Sequence, residues 1–350
     1  MEATQLTPLL GMTLGQLQAV VAELGMPRFS AGQICRWLYE KRVESIDEMT
    51  DLSKPNRAKL AAKYRVGRYA PAHSAHSVDG TVKYLFATGG DGANAVESVY
   101  IPDDDRATLC ISTQCGCKMG CSFCMTGRQG FHGSLTASEI INQVLSVPDS
   151  ERLTNVVFMG MGEPLDNVDA VLQVVEVMTA QWGFAWSPKR ITVSTVGLLP
   201  GLKRLLDETS VHVAVSVHSP YHEERASIMP VENAYPLRRV AALLSGYDFR
   251  HQRRLSAEYI MWKGINDDDA HAEALARLLK PLGARVNLIR FHAIPGAKFG
   301  TADAATMVHF RDLLNSHGII CTIRQSRGED IAAACGMLAG KVAASASTND

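Results

Sequence analysis

No run of 18 consecutive apolar residues occurs in the sequence, so no segment is long and apolar enough to cross a bilayer as a helix. The opening residues carry Glu2 and lack a basic cluster, so they read as ordinary helix and not as a secretory leader. Neither sign of charge prevails: 35 Lys and Arg stand against 36 Asp and Glu, a net charge of −1. Such a chain has no global attraction for a polyanion, and a polyanionic partner must meet a local basic surface. Charged residues are only 20% of the chain and hydrophobic ones 46%, which excludes wholesale disorder and supplies a large core. Cysteine is scarce, at eight, and unevenly spread: Cys110, Cys115, Cys117, Cys121 and Cys124 fall within fifteen residues, where even scattering places fewer than one. A cytoplasmic, reducing location is expected, and there clustered cysteines serve as metal ligands or catalysts more than as disulfides.

At 350 residues the chain has room for a barrel of about 250 residues with an appendage. Residues 1–70 read as a helical accessory domain. Leu14, Leu17, Val20, Val21 and Leu24 repeat at helical spacing, Gly25 can end that helix, a second starts near Ser30, and a third follows Ser53-Lys-Pro. This module holds ten Lys and Arg against seven Asp and Glu. Its bias suits phosphate contact, and a plain helical cap accounts for it equally well. Residues 71–103 turn β-rich: 81–88 and 95–101 alternate around Gly89-Gly-Asp-Gly, a hairpin extension. From 104 to 340 strands and helices alternate, with strands predicted at 107–112, 154–159, 190–195, 212–217, 256–261, 285–291 and 319–324, and helices at 136–148, 166–181 and 268–282. Strands spaced by helices pair in parallel. The fold class is therefore α/β, a partial (β/α)6 TIM-type barrel behind a small helical domain and a β-hairpin linker. Its chemistry is expected on loops at the strands' C-terminal ends. The small, polar tail 341–350 is expected to be disordered.

Cys117-Lys-Met-Gly-Cys121-Ser-Phe-Cys124 has the spacing C-x3-C-x2-C and follows a predicted strand. Three close thiolates hold three irons of a [4Fe–4S] cluster and leave the fourth open. The alternative is a structural zinc site on Cys115, Cys117, Cys121 and Cys124, although zinc sites usually use two short pairs split by a longer loop. The motif resembles the radical S-adenosylmethionine (SAM) superfamily, and Phe123 fits its habit of an aromatic before the last cysteine. The resemblance implies that the open iron chelates SAM and that an electron from the cluster cleaves it to a 5′-deoxyadenosyl radical. Gly160-Met-Gly162-Glu163-Pro follows the next strand. Glycines there let backbone amides approach a ligand, and Glu163 can accept from the SAM ammonium. Ser194, Ser216, Val217 and His218 lie at the ends of the two strands that follow, at one shared mouth. His218 alone reads equally well as structural.

Beyond the cluster the chain resembles the RlmN/Cfr family of radical-SAM RNA adenine methyltransferases over about residues 14–340. The match includes Glu97-Ser-Val-Tyr-Ile-Pro, the segment to Cys110, Gly-Met-Gly-Glu-Pro, Ser-Thr-Val-Gly, Arg285-Val-Asn-Leu-Ile and Arg324-Gln-Ser-Arg-Gly-Glu-Asp-Ile-Ala-Ala-Ala-Cys335-Gly. Phe29-Ser-Ala-Gly-Gln-Ile and Glu48-Met-Thr-Asp-Leu-Ser-Lys resemble its accessory domain. An adenine ring carbon is too electron-poor to attack the methyl of SAM directly. The resemblance implies that Cys335 first takes a methyl as S-methylcysteine, that the radical activates it, and that addition to adenine gives a protein–RNA thioether. Cys110 matches the cysteine that resolves this adduct, leaving a disulfide to Cys335, and Glu97 matches the base that removes the ring proton. Judged without the family, Cys110 and Cys335 read as core thiols. Cys35 and Cys321 read as core, and Cys115 has no assigned role.

Two departures stand out. Arg290-Phe291-His292 replaces the family's Pro-aromatic-Asn, so His292 is the candidate for the SAM contact of that Asn, and the segment after Cys124, Met-Thr-Gly-Arg-Gln-Gly-Phe, also differs. The expected substrate is adenine C2 in 23S rRNA, with tRNA as a second RNA. C8 methylation is the nearest rival and a non-catalytic, metal-stabilised RNA-binding module the rival of another class. A flipped or single-stranded adenine is required. Lys189, Arg190, Lys203, Arg204, Arg250, Arg253, Arg254, Arg324 and Arg327 are candidates for an RNA surface. A reducing donor such as flavodoxin or ferredoxin, a monomer and no membrane partner complete the expectation.

Overall fold

The computed structural model describes residues 6–89, 94–251 and 253–340, so all but the first residue of the predicted hairpin turn at 89–92, and the tail 341–350, lie outside the described residues. In the N-terminal module, strand β1 (Thr7–Pro8) and helices α1 (Leu14–Glu23), α2 (Ser30–Cys35) and α3 (Lys54–Ala61) precede strand β2 (Tyr64–Arg65), which pairs in parallel with β1. Helix α1 starts at a capping box in which Thr13 and Gln16 satisfy each other's backbone N–H, and it buries Leu17, Val20 and Val21. The second helix is shorter than its apolar spacing predicts, because at Arg36 it widens into a π turn, Arg36–Glu40.

The rest of the chain builds one main sheet and its cover. In chain order the elements are β3 (His73–His76), β4 (Val82–Thr88), β5 (Asn94–Pro102), β6 (Ala107–Cys110), β7 (Gln114–Gly116), α4 (Met125–Arg128), β8 (Phe131–Ser134), α5 (Ala137–Ser146), β9 (Asn155–Phe158), α6 (Val168–Thr179), β10 (Ile191–Thr195), α7 (Leu199–Glu208), β11 (His212–Ser216), α8 (His222–Ile228), α9 (Leu237–Leu244), β12 (Leu255–Met261), α10 (Asp269–Leu279), β13 (Arg285–Arg290), α11 (Ala304–Ser316) and β14 (Cys321–Ile323). The ten-stranded sheet runs β14-β13-β12-β11-β10-β9-β6-β5-β4-β3. Strands β6 and β9 to β14 are mutually parallel, the arrangement of a partial barrel, and all seven therefore end at the same rim. Their inward and outward faces are both covered, so they read as Val-, Ile- and Leu-rich runs: Val156, Phe158, Ile191, Val193, Val213, Val215, Val286 and Leu288 are all buried.

The hairpin is not a separate linker. Strand β5 pairs antiparallel with β6, with Val99 opposite Cys110, and β3 adds a further antiparallel strand beyond β4. The edge of β6 would otherwise present unpaired backbone groups, and β5 satisfies them. The helical module is likewise joined to the barrel by one continuous hydrophobic core that runs from Leu9 to Leu338. Gly11, at φ +85°, lies so close to α5 that a Cβ there would stand 2.6 Å from the Ser138 nitrogen. Arg68 donates to the Leu145 carbonyl at 2.7 Å, and Asn142 pairs with both backbone groups of Tyr69. Among the described residues no helix is long and apolar enough to cross a membrane.

Candidate active site

The cysteine loop leaves the C-terminal end of β6 and is closed at its base by the antiparallel pair β7–β8, with a bulge at Cys115 and Gly116. That closure needs glycine: Gly116 sits at φ +73°, and a Cβ there would overlap the Gly130 carbonyl. Cys121 is buried, and Cys117 and Cys124 are half-buried. The loop is fixed by its backbone: Cys117 N–H donates to the Gly130 carbonyl at 2.9 Å, Ser122 N–H to the Ile228 carbonyl at 3.0 Å, and the Arg128 guanidinium to the Ser122 carbonyl. Burial pushes the Cys117 thiol up to about 12 and raises Cys121 further, and each is raised again by Cys124. Three thiols near enough to feel one another, poor in water, become thiolates when a cation compensates them. This donor set fits a [4Fe–4S] cluster, which spreads its thiolates over separate irons. The fourth cysteine of the zinc alternative is turned elsewhere: the Cys115 sulfur lies 3.0 Å from the Thr88 hydroxyl.

The loop after β9 packs directly on the start of this segment. A Cβ on Gly160 would stand 2.6 Å from the Ile111 carbonyl, and one on Gly162, at φ +96°, 2.5 Å from Gln114 Cβ. Gln114 joins the two loops, accepting from Glu163 N–H at 2.9 Å and donating to Asp166 at 2.7 Å. Glu163 is buried and turned inward: Oε1 accepts from the Thr195 hydroxyl at 2.7 Å and Leu165 N–H at 3.1 Å, and Oε2 from Val196 N–H at 3.0 Å. Burial lifts its carboxyl to about 7. The contacts it makes thus organise the ends of β9 and β10. Ser194 and Ser216 are half-buried at the rim, whereas Val217 and His218 are buried. The Val217 carbonyl accepts from the buried Arg225 at 3.1 Å, and Arg225 also donates to the carbonyls of Val196 and Ser216, both at 2.9 Å, and pairs with Glu232. His218 occupies the left-handed region at φ 57°, edge-on to Phe123 of the cysteine loop at 4.9 Å. Its Nδ1 accepts from Ile260 N–H at 3.1 Å, which leaves the ring proton on Nε2, and burial with Arg225 nearby holds its pKa down at about 3. His292 points to the C-terminal segment instead, with Nε2 3.1 Å from the Ser326 hydroxyl and Nδ1 3.5 Å from Glu329.

Cys110, at the end of β6, is 8% exposed, and Cys335 is exposed on the segment that follows β14. All eight cysteines are unpaired in the structure, and the Cys110–Cys335 disulfide is expected only once the adduct is resolved. Burial pushes Cys110 up to about 12, and the neighbouring Cys335 adds to the rise. Although Cys335 meets solvent, protein walls crowd its sulfur: lost hydration raises its pKa, Glu258 adds to the rise and Arg324 opposes it. Its segment is strapped on both sides. Met125 N–H donates to Gly336, Thr126 to Leu338 and Gln129 to Ala339, at 2.7 to 2.8 Å, while Asp79 accepts from Gly328 N–H at 3.0 Å. Glu97, 2% exposed on β5, accepts from the N–H groups of Ala339 and Gly340 and pairs with Lys83 at 3.1 Å.

Several basic residues named for RNA are already engaged. Arg190 donates to Leu153 and Thr154 and stacks on Trp186, Lys203 and Arg204 pair with neighbouring carboxylates, and Arg253 is buried against the Leu206 carbonyl. Gln114, Arg225 and Lys83 were missed from sequence. Arg225 gives no signal inside an ordinary charged helix, but Lys83 interrupts an apolar and aromatic strand.

Residues 111–276 match the Radical SAM superfamily, and residues 7–66 match the ribosomal RNA large subunit methyltransferase N-terminal domain. The chain is 57% identical over 330 residues to a probable dual-specificity RNA methyltransferase RlmN of Parabacteroides distasonis, covering 94% of this chain and 96% of the relative. It is 42% identical over 343 residues to the dual-specificity RNA methyltransferase RlmN of Alkalilimnicola ehrlichii, covering 95% and 94%. A radical SAM methyltransferase from Sphaerobacter thermophilus superposes with a TM-score of 0.89 at 40% identity, over 96% of this chain and all of that one. With a radical-SAM barrel and the accessory module both matched over nearly full length, the chain belongs to the RlmN family of radical-SAM RNA methyltransferases.

Proposed function

We propose that the protein methylates C2 of an adenine in 23S rRNA, and of one in tRNA, through a methyl carried on Cys335. The observation that carries this reading is the position of Cys335: an exposed residue on a strapped segment after β14, near enough to Cys110 and Cys124 for their charges to interact. Cys117, Cys121 and Cys124 would hold the cluster, and Gly162, Glu163, Ser194, Ser216, Val217 and His218 would take SAM, whereas His292 faces Ser326 and Glu329. When bound, cluster and SAM supply the methyl group and the radical that activates it.

The chain's own residues carry out the remaining steps. Cys335 holds the transferred carbon and delivers it to the ring. Glu97 takes the proton from the adenine carbon, the pair of electrons of that C–H bond stays with the ring, and the one electron in excess after radical addition would pass to the cluster held by Cys117, Cys121 and Cys124. The Cys110 sulfur then joins the Cys335 sulfur. The bond from Cys335 to the transferred carbon breaks, its electrons remain on that carbon, and a proton from solvent completes the methyl group. Because Cys110 is buried, it attacks from inside the sheet and is shielded from other oxidants until the adduct forms.

The test is anaerobic reconstitution with iron and sulfide, followed by unmodified rRNA or tRNA, SAM and a reductant, then digestion to nucleosides. 2-Methyladenosine is expected from both RNAs. Only 8-methyladenosine, or none while SAM is cleaved, would overturn the proposal.

A further inference from the structure

Lys83 is an ammonium in an unusual place. Strand β4 reads Val-Lys-Tyr-Leu-Phe-Ala-Thr from Val82; Val82, Tyr84, Leu85 and Phe86 are buried, and the Lys83 side chain is itself only 12% exposed. A charge that far from water is costly unless it is paired. Lys83 lies opposite Val99 and Leu85 opposite Glu97, so Lys83 and Glu97 are diagonal neighbours on one face of the hairpin. The ammonium sits 3.1 Å from Glu97 Oε1 and donates to the Ala332 carbonyl at 3.3 Å. Ala332 is three residues before Cys335 and takes the left-handed conformation, φ 52°. One side chain thus ties the strand of the base to the segment of the methyl carrier.

The two oxygens of Glu97 are held differently. Oε1 has a side-chain cation on the same sheet, while Oε2 accepts from two backbone amides, Ala339 at 2.7 Å and Gly340 at 3.2 Å, in a stretch without strand or helix.

We infer that Lys83 is a positioning residue for the second half of the reaction: it holds the Glu97 carboxylate that takes the adenine proton, and through Ala332 it keeps Cys335 in register with that carboxylate. The inference rests on the reading of Glu97 as the base. In the step it serves, the adenine C–H bond breaks, the proton passes to the Glu97 carboxylate, the electron pair of that bond stays on the ring, and the one electron in excess after radical addition would pass to the cluster held by Cys117, Cys121 and Cys124. Without the ammonium, the buried carboxylate loses its charge partner and keeps only the amides of Ala339 and Gly340.

The experiment compares Lys83→Met with Lys83→Arg in the reconstituted full-length enzyme. Methylation of Cys335 from SAM without RNA, read by intact mass, precedes the base step and is expected at wild-type stoichiometry, because Met125, Thr126, Gln129 and Asp79 still strap the segment. Methyladenosine yield is expected to fall at least about tenfold in Lys83→Met, with a nuclease-resistant protein–RNA adduct accumulating, and Lys83→Arg is expected to recover most of the yield. Wild-type yield without adduct in Lys83→Met would overturn the inference. So would loss of Cys335 methylation, which would reduce Lys83 to a packing role. Glu97→Gln run in parallel separates the two ideas. If Glu97→Gln stalls and Lys83→Met does not, only the role of Lys83 falls; if Glu97→Gln turns over normally, the base assignment falls with it.

Discussion

At the scale of single residues, two cysteines differ in exposure. Cys335 is exposed and Cys110 is buried, which suits the proposed roles of a carrier that meets RNA and a thiol that resolves the adduct. Cys335→Ala is expected to abolish methyl transfer to RNA while the cluster's visible absorbance stays unchanged, since the residue lies outside the Cys117–Cys124 loop. Cys110→Ala is expected to accumulate protein cross-linked to RNA, seen as a slow band on a denaturing gel; a variant that methylates RNA at the normal rate would remove Cys110 from the scheme. Glu163 supports a third prediction. Its two oxygens accept from three donors at the ends of β9 and β10, and an amide can replace only one of those oxygens as an acceptor. Glu163→Gln sets a donor against a donor or empties a bond, a cost of about 1–3 kcal/mol. SAM affinity of the reconstituted protein, measured by equilibrium dialysis at pH 8, is expected to weaken about tenfold. The C-x3-C-x2-C spacing pointed to the segment that the Radical SAM match covers, because a cluster needs sulfur and little else supplies it. The inward turn of Glu163 was not legible, since a carboxylate after a Gly-rich strand end suits a ligand as well as it suits the Thr195 hydroxyl.

At the scale of elements, the site is an assembly of βα turns that must interlock. The turn after β9 meets the one after β6 through absent side chains, with a Cβ on Gly160 falling 2.6 Å from a backbone carbonyl that cannot move without breaking β6 from β9. Gly160→Ala is expected to cost about 1–3 kcal/mol by overpacking, seen as a lower midpoint in urea unfolding, and to weaken SAM binding. Gly32→Ala is the contrast: it lies inside α2 with nothing within 4 Å of a new Cβ, so helix propensity alone predicts a gain of up to about 1 kcal/mol. Equal losses in both variants would mean that the turn-to-turn contact is not special. The parallel strands were legible because burial on both faces leaves unbroken apolar runs. The pair β7–β8 was not: Gln114-Cys-Gly and Phe131-His-Gly-Ser are short, glycine-bearing and without alternation, and they pair only because the cysteine loop is closed between them. The continuation of the sheet into β3 to β5 was also hidden, since a hairpin pattern is the same whether its edge faces water or another strand.

At the scale of the whole molecule, a chain of net charge −1 must bind RNA through local charge, and the helical module is where sequence places a small positive excess. Its architecture argues that this module is also part of the barrel's stability. Gly11 and Gly67 press against α5, the latter with a Cβ position 3.3 Å from the Ser138 hydroxyl, and Arg68 reaches the carbonyl of Leu145. Leu9, Leu10, Leu17, Ile34 and Leu38 sit in the same buried cluster as Ile140, Ile141 and Val144 of the barrel. Removing the module would therefore expose a face of α5 and α6 that is apolar by design, and each large side chain returned to water costs about 1.5–3 kcal/mol. A fragment beginning at residue 71 is expected to melt about 10 °C or more below the full chain, or to aggregate. Its thermal unfolding, set beside that of the intact protein in the absence of RNA, distinguishes this from a module that serves RNA contact alone: in that case the two would melt together, and only the salt-dependent RNA affinity would fall.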